Sequence, residues 1–352
     1  MRFHVISLPH TNVTKAFANC AYTAKVHYFC NMMHSLGHEV FLYAGTETEA
    51  NVTELITCIS EEDRLDFLDG KHYVHASFDN TLPAWQIFNN TAIAEISKRI
   101  QQKDFICIIG GTAQQPVADA FPSHMAVEWG IGYGGTFAKY RVFESNAWRH
   151  SVYAMFKNPT VVDGFAFDRV INGYLDPEMF PLGEEKEDYY LYLGRMIPRK
   201  GVDIASQVCK ELGARLIMAG PGDYIPPYGE YIGSVDTEQR TKLLQGAIAT
   251  FTPTQYIEPF CNVHIESMAV GTPVITSDWG VFCETVANGF NGYRCNTFQD
   301  YLEAAEKVKY LNNKDIRDVT IDTYSIDVIK YKYDAYFRDL LKLWDKGWYE
   351  IS

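Results

Sequence analysis

Two carboxylates eight residues apart frame the densest polar stretch of the chain, Glu258-Pro259-Phe260-Cys261-Asn262-Val263-His264-Ile265-Glu266. Glu258 falls in a loop after an apolar run at 247–251, and Glu266 inside a predicted helix. The start of that helix offers free backbone N–H groups to a phosphate. Alone, such a pair reads as a surface Glu and a helix Glu. A second stretch, Gly194-Arg195-Met196-Ile197-Pro198-Arg199-Lys200-Gly201, follows another apolar run at 189–193. Arg195 can grip two oxygens of an anion at once, whereas Lys200 acts as a point charge. Arg199 is read as solvated.

The elements that must carry these residues alternate. Residues 3–8 read as a strand, 9–12 as a loop and 21–36 as a helix stopped by Gly37-His38, with a second strand at 39–44. Further strands are predicted at 105–109 and 125–129, the latter opening into Gly130-Ile131-Gly132-Tyr133-Gly134-Gly135. Five charged residues crowd the run 181–188, which reads as a linker. The alternation then restarts: strand 189–193, helix 202–212, strand 215–219, turn 220–223, helix 237–245, and strands 247–251 and 273–276. An aromatic-rich tail, 324–349, is predicted helical. Repeated βαβ units imply parallel sheets, with ligands at the carboxyl ends of the strands. The glycine run 130–135 formally fits G-x-G-x-x-G, but it lies late in its unit and has no acidic residue ~20 positions on. It reads as a loop lining a cleft rather than a dinucleotide-binding turn.

Composition limits the partners. The 352 residues carry 31 basic and 44 acidic side chains, a net charge of −13, so the bulk field repels nucleic acid and anionic membranes. No apolar run approaches the ~18 residues of a membrane span. The eight cysteines include no C-x-x-C pair, and the first ten residues are too short and polar for a secretory signal. A reducing cytoplasm is the expected location, the host's if the chain is viral. With no D-x-D triplet, no metal and no cofactor is expected.

The two motifs resemble those of retaining glycosyltransferases of family 4, in the short anchor-free form found in bacteria and large DNA viruses. That family carries E-P-F-G-x4-E-A-x-A-x-G-x-P-V-I, then a glycine turn, a Glu and D-G-x-N-G. Here the matches are Glu258, Pro259, Phe260, Glu266, Ala269, Gly271, Pro273-Val274-Ile275, Glu284, Gly289, Asn291 and Gly292. Cys261 stands where the family usually has Gly, and Trp279-Gly280-Val281 where it usually has Gly-Gly. The stretch 194–201 resembles the family's G-R-x4-K-G, Asn172-Gly173 its N-G segment, Gly220-Pro221-Gly222 its G-x-G turn, and Gly233-Ser234-Val235 the segment beside the base.

The resemblance implies an α/β GT-B fold of two Rossmann-like domains facing across a cleft. Its amino-terminal, acceptor-side domain would span 1–182, with a carboxyl-terminal helix 324–352 packing back on it; the donor domain would span 188–323. It implies transfer of a hexose, with retention, from a nucleotide-diphosphate sugar to a glycan or glycoprotein, with GDP-mannose favoured over UDP-glucose. Glu258, Arg195 and Lys200 would be catalytic. Gly220, Gly233, Val235, Phe260, Cys261, Asn262, Val263 and Glu266 would join them in holding the donor, with Glu266 on the ribose. His10, Glu128 and Tyr133 are placed on the acceptor side, although His10 and His264 themselves read as local hydrogen-bonders. A homodimer is left open. A nucleotide-sugar epimerase of the same fold and a non-catalytic nucleotide-sugar-binding module are the alternatives.

Overall fold

The computed structural model describes residues 1–17, 20–155 and 165–344. Short runs of β-branched and aromatic side chains form the first set of strands: β1 (Arg2–Ile6), β2 (Glu39–Ala44), β3 (Glu54–Thr57), β4 (Phe105–Ile108), β5 (Met125–Ile131), β6 (Tyr140–Phe143) and β7 (Arg169–Val170). They pair in parallel in the order β3-β2-β1-β4-β5-β6-β7. The second set is β8 (Tyr190–Leu193), β9 (Leu216–Ala219), β10 (Glu230–Tyr231), β11 (Thr250–Thr252), β12 (Val274–Ser277) and β13 (Gly292–Cys295). These also pair in parallel, in the order β10-β9-β8-β11-β12-β13. Each sheet runs outward one way from its first strand and then the other way. The reversal leaves a crevice at the carboxyl ends, between β1 and β4 and between β8 and β11.

Two compact units result, one made of 1–144, 152–171 and 330–352, the other of 145–151 and 172–329. In the first, Phe29 stacks on Trp129 at 4.3 Å, and Phe337 meets Phe3 and Phe105 edge-on at 4.7 and 4.9 Å. Phe337 and Tyr333 come from the helix Ile326–Leu341 and are fully buried. Residues 345–352 of the predicted tail lie outside the described residues. In the second unit, Leu191, Ala247, Phe260, Ile265, Met268 and Val274 are core side chains.

The division differs from the boundary at 182 read from sequence. Residues 172–182 belong to the second unit, where the Leu175 N–H donates to the Tyr324 carbonyl at 3.1 Å. The charged run 181–188 is not a free linker. Lys186 turns inward, donating to the Gln245 carbonyl at 2.9 Å and to the Thr272 hydroxyl, and burial lowers its pKa to about 8. Strands β3, β7, β10 and β13, each at a sheet edge, and β6, next to the edge, are not anticipated by the sequence reading. Among the described residues no helix is long and apolar enough to cross a membrane.

Candidate active site in the second unit

The carboxyl ends of β8 and β11 bring Lys200 and Glu258 together, with Nζ 2.7 Å from Oε1. Two close backbone approaches make this possible. Gly201 has φ +76°, and a Cβ there would lie 2.0 Å from the Pro253 carbonyl. Gly220 has φ +134°, and a Cβ there would lie 2.0 Å from the Gly194 carbonyl. Only glycine lets these loops close.

Glu258 is buried, and two donors converge on one of its oxygens. Besides Lys200, the Thr254 hydroxyl donates to Oε1 at 2.5 Å, and Ser277 holds the Thr254 carbonyl at 2.7 Å. Burial opposes the Lys200 charge, but the Glu258 carboxylate bonded to it outweighs that and holds its pKa above the ordinary lysine value. Three cations surround Tyr256. The Arg195 guanidinium lies 3.5 Å from its hydroxyl, Arg199 stacks 4.4 Å from the ring centre, and the Lys200 ammonium lies 5.4 Å from it. Arg199 is therefore part of the cluster rather than merely solvated. Arg195 is exposed.

The helix Asn262–Ala269 starts beside this cluster. Cys261 caps it with φ +70°, a left-handed conformation that favours the glycine usual in the resembling motif. No side chain caps the helix, so its first N–H groups are available to a ligand. One turn in, Glu266 pairs with Arg240 at 3.3 Å, while its buried Oε2 has no hydrogen-bond partner. The His264 Nδ1–H donates to the Cys261 carbonyl, and burial lowers the ring's pKa to about 4. Phe260, expected on the donor, is instead buried in the core beneath Gly173, where a Cβ would lie 2.3 Å from its ring. Gly220 N–H donates to the Gly233 carbonyl at 2.9 Å, and Val235 lines a pocket of about 450 Å³ with Ser234 and Gln239. Asn262 is exposed and Val263 half-buried.

Sequence reasoning missed Thr254, Tyr256 and Arg240. A hydroxyl four residues before a loop Glu and an Arg far from Glu266 in sequence leave no spacing signal. It also treated Glu284 only as part of a motif. Glu284 accepts from the backbone N–H groups of Asn146 and Ala147 at 2.9 and 2.7 Å, fastening the segment 145–151 to its own unit.

The three acceptor-side residues lie in the first unit, where two are committed to local structure. Glu128 is fully buried, and its oxygens accept from Tyr133 at 3.1 Å, Phe137 N–H at 2.9 Å and Ala138 N–H at 2.8 Å. Burial raises its pKa, against the pull of those hydrogen bonds. A free sugar contact from Glu128 is thus replaced by a loop-holding role. Burial, then Arg64, lowers the pKa of His10 to about 4. Tyr133 shares a pocket of about 290 Å³ with Tyr22 and Phe78. Among the described residues no group of three or more His, Cys, Asp or Glu is arranged to hold a metal.

Residues 176–326, all within the second unit, match the family model of group 1 glycosyl transferases. A glycogen synthase of Mycobacterium tuberculosis is 31% identical over 153 residues, covering 38% of this chain and 37% of that protein. An uncharacterized glycosyltransferase of Methanocaldococcus jannaschii is 29% identical over 126 residues, 31% of this chain and 32% of its own. The matched segment thus spans about a third of each of these relatives. Similar structures extend over the whole fold. AviGT4, a glycosyltransferase involved in avilamycin A biosynthesis, superposes with a TM-score of 0.67 at 20% identity over 97% of this chain and 98% of its own. The sucrose-phosphate synthase of Thermosynechococcus elongatus gives 0.66 at 14% over 97% and 99%. Anabaena HepE in complex with UDP and glucose gives 0.62 at 11% over 96% and 100%. The fold is the two-domain α/β GT-B fold.

Proposed function

We propose that the chain is a retaining glycosyltransferase that moves a hexose from a nucleotide-diphosphate sugar to a glycan or glycoprotein. The observation carrying this reading is the buried Lys200–Glu258 pair at the carboxyl ends of β8 and β11, beside an uncapped helix start. Arg195 and Lys200 stabilise the charge that builds on the departing diphosphate, the main electrostatic demand of the step. The first N–H groups of the helix Asn262–Ala269 add to that. Lys200 and Thr254 both hold Oε1 of Glu258, leaving Oε2 for the hydroxyls of the donor hexose. The unpartnered Oε2 of Glu266 accepts from the ribose.

In this mechanism the bond from the anomeric carbon to phosphate breaks on the face where the acceptor oxygen bonds. The leaving phosphate takes the acceptor's proton, so no separate protein base is required. Cationic side chains do the work of a metal. The donor is GDP-mannose in the sequence reading, whereas the similar HepE structure holds UDP and glucose. A thermal-shift panel of GDP-mannose, UDP-glucose and UDP-galactose tests the reading. A bound donor at 100 times its dissociation constant adds ~2.7 kcal/mol. A shift with UDP-glucose alone rejects the mannose assignment, and no shift with any of them rejects the donor site.

A further inference from the structure

A second crevice opens at the carboxyl ends of β11, β12 and β13, lined by Thr254, Gln255, Asp278, Trp279, Asn296 and Tyr301 among others, with a volume of about 290 Å³. We propose that it binds one sugar ring of the acceptor, stacked on Trp279 and hydrogen-bonded by Asp278, Asn296 and Gln255. The inference rests on the glycosyl-transfer reading for the class of ligand.

The aromatic face is available: Trp279 is 43% exposed although it sits at the end of an interior strand, β12. Polar groups ring it at fixed positions. The Asn296 amide donates to Asp278 Oδ2 at 3.2 Å, and Arg294 lies 3.4 Å from Oδ1, so the carboxylate is oriented before any ligand arrives. The Gln255 side chain is exposed beside them. Tyr301, 95% buried, closes the floor of the same crevice. An aromatic face beside carboxylate and amide groups matches the two aspects of a pyranose, its C–H face and its hydroxyl rim.

Size and charge select against the other ligand of this reaction. The volume sits at the small end of ligand pockets and suits one ring rather than a nucleotide. The lining includes no Lys or Arg to pair with a phosphate, and the adjacent Arg294 is engaged by Asp278. The crevice shares Thr254 with the donor site, which places the sugar ring next to the loop bearing Glu258.

Saturation-transfer NMR tests the subsite, using the methyl glycosides of glucose, mannose, galactose and N-acetylglucosamine with wild-type protein and with Trp279→Ala. At least one glycoside should receive saturation from the wild type and bind roughly tenfold more weakly to the variant. Nucleotide diphosphate affinity, read by calorimetry on both proteins, should not change. No transfer to any of the four, undiminished transfer in the variant, or loss of nucleotide affinity in the variant each overturns the subsite. Absent nucleotide binding in the wild type fails the donor reading instead, and the glycoside signals report on the subsite independently of it.

Discussion

Thr254 is the side chain on which the proposed chemistry depends without touching the nucleotide. Its hydroxyl fixes Oε1 of Glu258, so Thr254→Ala should lower kcat with little change in KM for the donor. A hydrogen bond to a charged group contributes roughly 1.5–3 kcal/mol, or ~10–100-fold in rate. Thr254→Ser should restore most of it, and equal rates for wild type and alanine variant would remove Thr254 from the account. Lys200 gives a second test. Its raised pKa keeps its charge through the neutral range, so donor affinity should hold from pH 7 to pH 9 rather than decay. The buried histidines set the acid limit. His10 and His264 have folded pKa values of about 4 against 6.5 unfolded, so each contributes stability that is full above pH 6.5 and is lost as pH falls toward 4. Scanning calorimetry should show the melting temperature dropping across that window, and a flat profile would contradict it. Glu258, Lys200 and Glu266 stood out in the sequence through the resemblance of their motifs rather than through spacing alone, and the structure brings Lys200 and Glu258 into contact. Thr254 and Tyr256 were not, since their roles come from folding one loop against another.

Among the elements, strands with dense apolar runs declared themselves, as at β1, β2, β4, β8 and β12. The two-residue strands β7 and β10 carry no periodicity to read, and β13 begins with glycine and carries Arg294. The helix Ile326–Leu341 was legible as an aromatic tail, but which of its rings are buried was less so. Tyr331 is 59% exposed, whereas Tyr333 and Phe337 are fully buried, because the helical face turns between them. Phe337→Ala should therefore destabilise the first unit by ~3–5 kcal/mol, the usual cost of emptying a buried aromatic site. Tyr331→Ala should cost little. Denaturant titration of both variants checks the contrast, and equal losses would refute it.

At the level of the whole molecule, the fold was legible because strands and helices alternate in two successive sets along the chain, while the unit boundary was not. Continuity of sequence misleads where Ser145–Ser151 joins the second unit through Ser145, bonded to the Pro259 carbonyl at 2.8 Å, and through Glu284. The net charge of −13 makes the cluster around Tyr256 a local exception, which is where an anionic donor should bind. Because those side chains supply the positive charge, transfer should survive EDTA, and loss of activity restored by Mn²⁺ would contradict this. The most direct measurement is to compare Glu258→Gln with wild type in two assays on the same samples, sugar transfer and calorimetric binding of the nucleotide diphosphate. If Glu258 serves the hexose, transfer collapses while the diphosphate binds no more weakly, since one negative charge has been removed beside Lys200. Undiminished transfer by the glutamine variant, or a large loss of diphosphate affinity in it, would contradict the assignment.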